Sequence, residues 1–398
     1  MKLPSAGTPH LTYCTNIHAG ESLAEVRRNV EEYVTAVKTR VCPDQPFGVG
    51  LRLSARAAEE LSAEGELASF RAMLEARDLY VFTINGFPYG EFHTGRIKEK
   101  VYLPDWLEEP RLAYTNRLAS LLGRLLPDGD LEGSVSTSPG AFKPRIQGST
   151  EELAIADRLL RHAAHLIELE RSTGKTISLA IEPEPACMLE TIEETVAFFE
   201  RHLLSQAAGA RLAALAGIAE QRAEEAIRRH LGVCFDACHM AVEFEEPEGA
   251  LLRLEAAGIR IGKVQISAGL ELSMMSEALR AFDDGVYLHQ VVAKCDGQLA
   301  RYFDLSDAFA AGPQKPAGDC LFRVHFHVPL FRETFGPFAG TQPYLRRVLA
   351  VLRDRPLSSH LEVETYTWDV LPREFRREGI VDAIAREVDW VQGQMSAR

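Results

Sequence analysis

The chain has 398 residues, 46% hydrophobic and 25% charged, with a net charge of -13. That balance is typical of a soluble globular protein, and an acidic chain without a long basic run argues against a nucleic-acid groove. No stretch approaches the roughly 18 apolar residues that span a bilayer, and the opening MKLPSAGTPHLTYCTN carries no apolar signal core, so the cytosol is the expected compartment.

Short apolar runs alternate with long amphipathic helices. The strand-like runs are LTYCTNIHAG (11–20), FGVGLRLS (47–54), LYVFTINGF (79–87), DLEGSVSTSPG (130–140), TISLAIEPEP (176–185), LGVCFD (231–236), IRIGKVQISAG (259–269) and SSHLEVETYTW (358–368). Between the first two runs, ESLAEVRRNVEEYVTAVKTRV repeats its apolar residues at helical spacing. Ser149 with Glu152 and Thr191 with Glu194 have capping-box spacing. Strands that alternate with helices imply parallel pairing through right-handed crossovers. Eight such units predict an α/β fold, a closed (β/α)8 barrel in one domain over 1–398. A doubly wound sheet would show a glycine-rich phosphate loop after an early strand, and none is visible.

Three insertions break the rhythm, near 88–106, 205–230 and 270–340. The first is a long loop, the second an alanine-rich helical segment. The third, after the seventh strand, has a hairpin signal at Asp296-Gly297 and a further strand-like run, FRVHFHVPLF. It is expected to fold over the barrel mouth, or else to supply a replacement for one of the eight strands. Seven cysteines, an odd number with no CxxC pair, make structural disulfides and a cysteine-rich zinc site unexpected. Cys234 and Cys238 read as small buried residues.

The candidate chemistry lies where strands end. Alternation puts Gly232, Cys234 and Asp236 on one face of the sixth run, so Asp236 ends that face and His239 follows one turn later. Asp236 has two readings: a cap on the next helix, or a ligand at a barrel mouth. In the fifth run Ser178, Ala180 and Glu182 share a face opposite Ile177, Leu179 and Ile181, with Pro183 and Pro185 stiffening the exit. In the last run His360, Glu362 and Glu364 share a face. Three ionisable groups there are costly to bury unpaired, which a metal or a hydrogen-bond network would offset; an edge strand in water is the plain alternative. Lys263, Gln265 and Ser267 share a face of the seventh run, and Gln265 offers an amide oxygen to a hard cation or a hydrogen bond to a polar layer. His325 and His327, two apart on one strand face, are a metal pair or packing residues. Asn16, His18, Asn85, Ser136 and Ser138 sit at other strand ends and suit either turn chemistry or the hydroxyls of a polyol. Arg52, His93 and Lys143 are weaker candidates, expected at the surface.

This constellation resembles the xylose-isomerase-like TIM-barrel superfamily of sugar isomerases and epimerases, over most of the chain. Its members hold a divalent metal with Glu, Asp, His and Glu from the fifth to eighth strands. The matching positions are Glu182, Asp236, Gln265 and Glu364, and His239 matches a substrate-contacting histidine of the epimerase branch. Gln265 replaces the histidine, which leaves a more oxygen-rich donor set unless His325 or His327 takes its place. The segments YCTNIHAGE, FRVHFHVPLF and HLEVETYTWDVLP further resemble the EboE family of bacterial metabolite traffic proteins, encoded beside a prenyltransferase-like membrane protein and implicated in moving secondary-metabolite precursors.

The resemblance implies a divalent ion, Mn²⁺, Mg²⁺ or Zn²⁺, bound by Glu182, Asp236 and Glu364 with Gln265 or His327. It implies proton transfer by Glu182 or Glu364 next to a carbonyl of a small metabolite that His239 positions, and Asn16, His18 and Asn85 are the strand-end residues whose chemistry suits its hydroxyls. The alternatives are a non-catalytic metabolite carrier with a membrane-protein partner, and an endonuclease IV-like phosphodiesterase. The acidic charge disfavours the last, so no nucleic acid is expected.

Overall fold

The computed structural model describes residues 1–5, 7–93, 97–283, 285–311, 320–368, 371–376 and 378–396. The first and third expected insertions therefore each contain positions outside the described residues: 94–96 in one, 284 and 312–319 in the other.

All eight expected runs form strands: β1 (His10–Tyr13), β2 (Phe47–Arg52), β3 (Leu79–Asn85), β4 (Gly133–Thr137), β5 (Ile177–Ile181), β6 (Leu231–Asp236), β7 (Arg260–Ile266) and, after six short strands, β14 (His360–Val363). They make one parallel sheet in the order β1-β14-β7-β6-β5-β4-β3-β2. The ring is completed by a parallel bridge between Cys14 and Gly50. Outward residues such as Leu179, Val233, Phe235, Val264 and Leu361 are fully buried beneath the helices, as expected for strands covered on both sides.

The seam between β1 and β2 is stitched by one side chain. Thr12 Oγ1 donates to Gly48 O at 2.7 Å and accepts from Gly50 N at 3.0 Å. A Cβ on Gly50 would lie 2.0 Å from Glu362 Oε1 and 2.5 Å from Tyr13 O. Gly50→Ala is therefore expected to cost about 1–3 kcal/mol through overpacking. Urea denaturation would show a lower midpoint with an unchanged slope.

The inserted material after β7 forms a second, antiparallel sheet and replaces none of the eight barrel strands. It comprises β8 (Leu270–Leu272), β9 (Val291–Cys295), β10 (Gln298–Tyr302), β11 (Cys320–Val324), β12 (Thr334–Phe335) and β13 (Phe338–Gly340), in the order β10-β9-β11-β8-β13-β12. The hairpin at Asp296-Gly297 forms as expected, both residues having positive φ (49° and 82°), the requirement of a two-residue type I′ turn. Backbone bonds hold this sheet to the barrel exits, Val328 N to Ala268 O at 2.8 Å and Thr341 N to Gly269 O at 2.9 Å. The second insertion is helical, as Gln206–Ala216 and Glu220–His230. No helix among the described residues is long and apolar enough to cross a membrane.

Two expectations need correction. Cys295 and Cys320 form a disulfide. They are non-adjacent in sequence, but β9 and β11 pair in a register that sets them opposite each other, a proximity that cysteine spacing does not reveal. The other five cysteines are free and buried. Ser149 is also not a cap: it lies inside the helix Ser149–Thr173, whose N-cap is Gly148 with no side-chain bond. Thr191 and Glu194 do make the reciprocal capping box.

Candidate metal centre

The barrel interior is polar in layers. Near its base His360 Nδ1 meets Ser134 Oγ at 2.8 Å. Above lies a fully buried ion pair, Lys263 Nζ to Glu362 Oε2 at 2.5 Å. Burial opposes the charge on Lys263, but Glu362, together with Cys234 and Cys14, more than offsets this and holds the ammonium pKa above its ordinary value. At the C-terminal rim, the strand ends carry Glu182, Asp236 and Glu364 into one place, where each offers an oxygen within 4.8 Å of the others.

Backbone pairing continues past the strands and fixes these ends. Glu182 N donates to Thr137 O at 3.0 Å, and Glu364 N to Ile266 O at 3.1 Å. Asp236 satisfies both of its sequence readings. Its Oδ1 caps the short helix Ala237–Val242, accepting from His239 N at 2.9 Å and from Ser267 Oγ at 2.7 Å. Its Oδ2 has no partner and is buried. Glu364 Oε1 accepts from Asn16 Nδ2 at 2.8 Å and Asn85 Nδ2 at 2.9 Å. Glu182 Oε2 is buried without a partner, and so are both amide atoms of Gln265, which pairs in register with Asp236 on β6 and Glu362 on β14. Burial, reinforced by the neighbouring carboxylates, pushes Glu182 and Glu364 well above the ordinary carboxyl range.

Such an arrangement is unfavourable in itself: like charges gathered in a low-dielectric site, with orphaned acceptors. A divalent cation would relieve both problems. Carboxylate and amide oxygens are hard donors, so Glu182, Asp236 and Glu364 with the Gln265 carbonyl fit Mg²⁺ or Mn²⁺.

A cavity opens above these acids. Asn16, Asn85, Glu182, His239, His327 and Glu364 line it, so the expected ligand-contacting positions converge there with one exception. His18 is buried outside the lining, bonded to Tyr13 Oη at 3.0 Å and stacked on Tyr33. The short helical turn Thr15–Ile17 aims Asn16 at the mouth and turns His18 away from it. Asn16 and Asn85 orient Glu364, and Asn16 Oδ1 is left unpaired. Arg52, expected at the surface, is buried in an ion pair with Glu21. Lys143 pairs with Glu190, and His93 Nε2 meets Asn16 O at 2.6 Å.

Residues that sequence reasoning passed over complete the wall. Glu184 lines the cavity and accepts from Tyr102 Oη at 3.0 Å and Gln290 Nε2 at 3.3 Å; burial raises its pKa. Its position two after Glu182 in TISLAIEPEP was the available signal. Gln290 and Tyr102 come from insertions whose positions the barrel rhythm does not define.

The exit of β14 is anchored by Glu387 on the C-terminal helix Ile380–Ser396, which accepts from Thr365 Oγ1 at 2.8 Å and Leu330 N at 3.0 Å. Burial raises its carboxyl from 4.5 to about 7. The folded state then holds the proton more tightly than the unfolded one, so this contribution is full below pH 4.5 and is lost as pH rises through 7. Glu387→Gln keeps the accepting oxygen and removes the titration. It is expected to be more stable than the wild type at pH 8, by up to about 3 kcal/mol, with the advantage fading below pH 5. Thermal unfolding across that range measures it.

No protein-family model matches the sequence, and no curated protein matches it. Solved structures do share its architecture. A xylose isomerase-like TIM barrel protein from Mycobacterium smegmatis in complex with magnesium aligns with a TM-score of 0.51 at 11% identity, over 98% of each chain. The IOLI protein with a bound zinc atom gives 0.45 at 12% identity, over 97% of each chain. The 3-keto-D-glucoside 4-epimerase YcjR from E. coli gives 0.46 at 12%, over 96% of this chain and 99% of that one. In fold, then, this chain is an α/β (β/α)8 barrel, similar in architecture to the magnesium-bound structure.

Proposed function

We propose that the protein is a metal-dependent isomerase or epimerase acting on a small polyhydroxylated carbonyl compound. The observation that carries this reading is the convergence of Glu182, Asp236 and Glu364 at the floor of the cavity, with Glu182 Oε2, Asp236 Oδ2 and both Gln265 amide atoms unpartnered. A divalent ion held there would polarise a carbonyl and stabilise the charge that develops when the adjacent carbon loses its proton.

The chain's own residues divide the remaining work. Glu364 is held in one orientation by two asparagine amides that donate to its Oε1. Glu182 Oε2 carries no hydrogen bond, which leaves it free to take and return the proton. His239 donates through Nδ1 to Pro183 O at 2.9 Å, which leaves Nε2 facing the cavity as an acceptor for a substrate hydroxyl. Phe87, Phe92, Tyr287 and Tyr366 exclude water from the upper wall. Among the described lining residues Lys98 is the one lysine or arginine, and Asp304 holds its ammonium at 2.5 Å. Unphosphorylated sugars are accordingly favoured over sugar phosphates.

The test is isotope exchange. Manganese- or magnesium-loaded protein in ²H₂O, given a panel of free aldoses and ketoses, is expected to place deuterium on the carbon next to the carbonyl of at least one, read by NMR. Absence of exchange across free sugars, keto-sugars and their phosphates would contradict the reading.

A carrier role of the EboE type, with a membrane-protein partner, is the second reading. The aromatic upper wall supports it, since it would hold a metabolite without any proton transfer. Under it, sugars or precursors bind, and Glu182→Gln leaves function in the cell unchanged.

A further inference from the structure

We propose that the substrate carries a protonated amine, seated where Glu184 meets His239 and His325, so that the compound handled is an amino sugar or a similar aminated polyhydroxy carbonyl compound rather than a neutral sugar. This rests on the preceding reading of the site and adds the substrate class to it.

The cavity wall is rich in acceptors and poor in donors. The amide nitrogens of Asn16 and Asn85 both donate to Glu364. The Tyr287 hydroxyl donates to Phe92 O at 2.9 Å, and Asp304 holds Lys98 at 2.5 Å. Among the described lining side chains, the Tyr366 hydroxyl is the one that makes no hydrogen bond. Acceptors are left over instead: Asn16 Oδ1 and Glu182 Oε2 are buried without partners.

Glu184 adds a further acceptor with a charge. Gln290 Nε2 donates to Pro185 O and to Tyr102 Oη, both at 3.1 Å. Having accepted there, Tyr102 turns its own proton to Glu184 Oε1 at 3.0 Å. Oε1 is thereby satisfied. Oε2 makes no hydrogen bond among the described residues, and no lysine or arginine among them pairs with this carboxyl; its neighbour is the His325 ring, 3.8 Å from Oε1.

The two rings beside it are acceptors as well. His239 Nδ1 donates to Pro183 O at 2.9 Å. His325 Nδ1 donates at 2.7 Å to Gln290 Oε1, an oxygen whose place is fixed by the three bonds of the amide nitrogen. Each Nδ1 therefore holds the ring proton, and burial opposes a second one. The two Nε2 atoms, 3.2 Å apart, keep their lone pairs. A nitrogen of each ring and an oxygen of Glu184 all lie within 4.8 Å of one another.

A hydroxyl placed among them brings one proton, together with lone pairs that need donors the wall lacks. An ammonium brings three protons and no lone pair. Its charge also offsets that of Glu184, which is costly to bury alone. Phe87 and Tyr102, with ring centroids 6.0 Å apart, line the same cavity, and aromatic rings attract cations more than neutral hydroxyls.

Calorimetric titration tests this with aminodeoxyhexoses, their neutral hydroxyl parents and their N-acetyl derivatives, on the wild type and on Glu184→Gln, with deuterium exchange followed on the same compounds. At least one amino sugar is expected to bind the wild type about 10–100-fold more tightly than both its parent and its N-acetyl derivative. Glu184→Gln keeps an oxygen for Tyr102 and puts an NH₂ group where Oε2 stood, and is expected to erase that margin. A wild type without the margin, or a margin that survives in Glu184→Gln, overturns the proposal; exchange into neutral sugars then leaves the isomerase reading standing. The margin without exchange into any compound supports the amine site and overturns the isomerase reading. No binding of any compound, and no exchange, overturns both. Should Glu184→Gln misfold, the wild-type contrast between each amine and its hydroxyl parent decides alone.

Discussion

Glu182→Gln is expected to lower turnover by about 10²–10⁴-fold while leaving the melting temperature unchanged or raised. The amide keeps the shape of the carboxyl and one oxygen for an ion, but it cannot carry a proton. Glu182 is buried, beside Asp236 and Glu364, and those neighbours together with desolvation raise its pKa. Removing one of three crowded carboxylates relieves repulsion, so loss of activity through unfolding is not expected. Deuterium exchange into substrate should fall by the same factor as turnover. If exchange and turnover persist in the variant, another group moves the proton. If no sugar exchanges in the wild type while binding is intact, the carrier reading replaces the enzymatic one.

The largest expected stability effect lies one layer deeper. Lys263→Met is expected to cost about 3–5 kcal/mol, because it leaves Glu362 buried, ionisable and without its cation. Both side chains of the pair are fully buried, so water cannot replace the lost partner. Lys263 also favours ionisation of Glu182 and Glu364 above it, so its removal should additionally weaken metal retention. The double variant Lys263→Met, Glu362→Leu should recover most of the loss, as apolar replacements of buried pairs do. Urea denaturation of the two variants separates these cases. A single variant within about 1 kcal/mol of the wild type would show the pair to be solvated.

The barrel was legible because parallel strands covered on both sides must alternate small or polar interior residues with branched exterior ones, as Ser178, Ala180 and Glu182 do against Ile177, Leu179 and Ile181. Alternation also identifies which residue ends each inward face, and so Glu182, Asp236 and Glu364 could be named before their proximity was seen. What lay beyond reach depended on partners rather than on period. The pairing of Lys263 with Glu362 follows from β7 and β14 being neighbours, which is a property of closure. The disulfide follows from the register of β9 and β11, and the capping failure at Ser149 from a helix that begins one residue earlier than spacing implied. His325 and His327 were visible as a pair, but their meeting with His239 depends on how the inserted sheet docks on the rim.

The central claim is that acids from distant strands form one cation site. Anomalous scattering from crystals soaked in Mn²⁺ tests it most directly. A single strong peak is expected within coordination distance of Glu182, Asp236 and Glu364, with the Gln265 amide oxygen facing it. Crystals in which those carboxylates stay unligated at saturating Mn²⁺, or point away from a common centre, would contradict it.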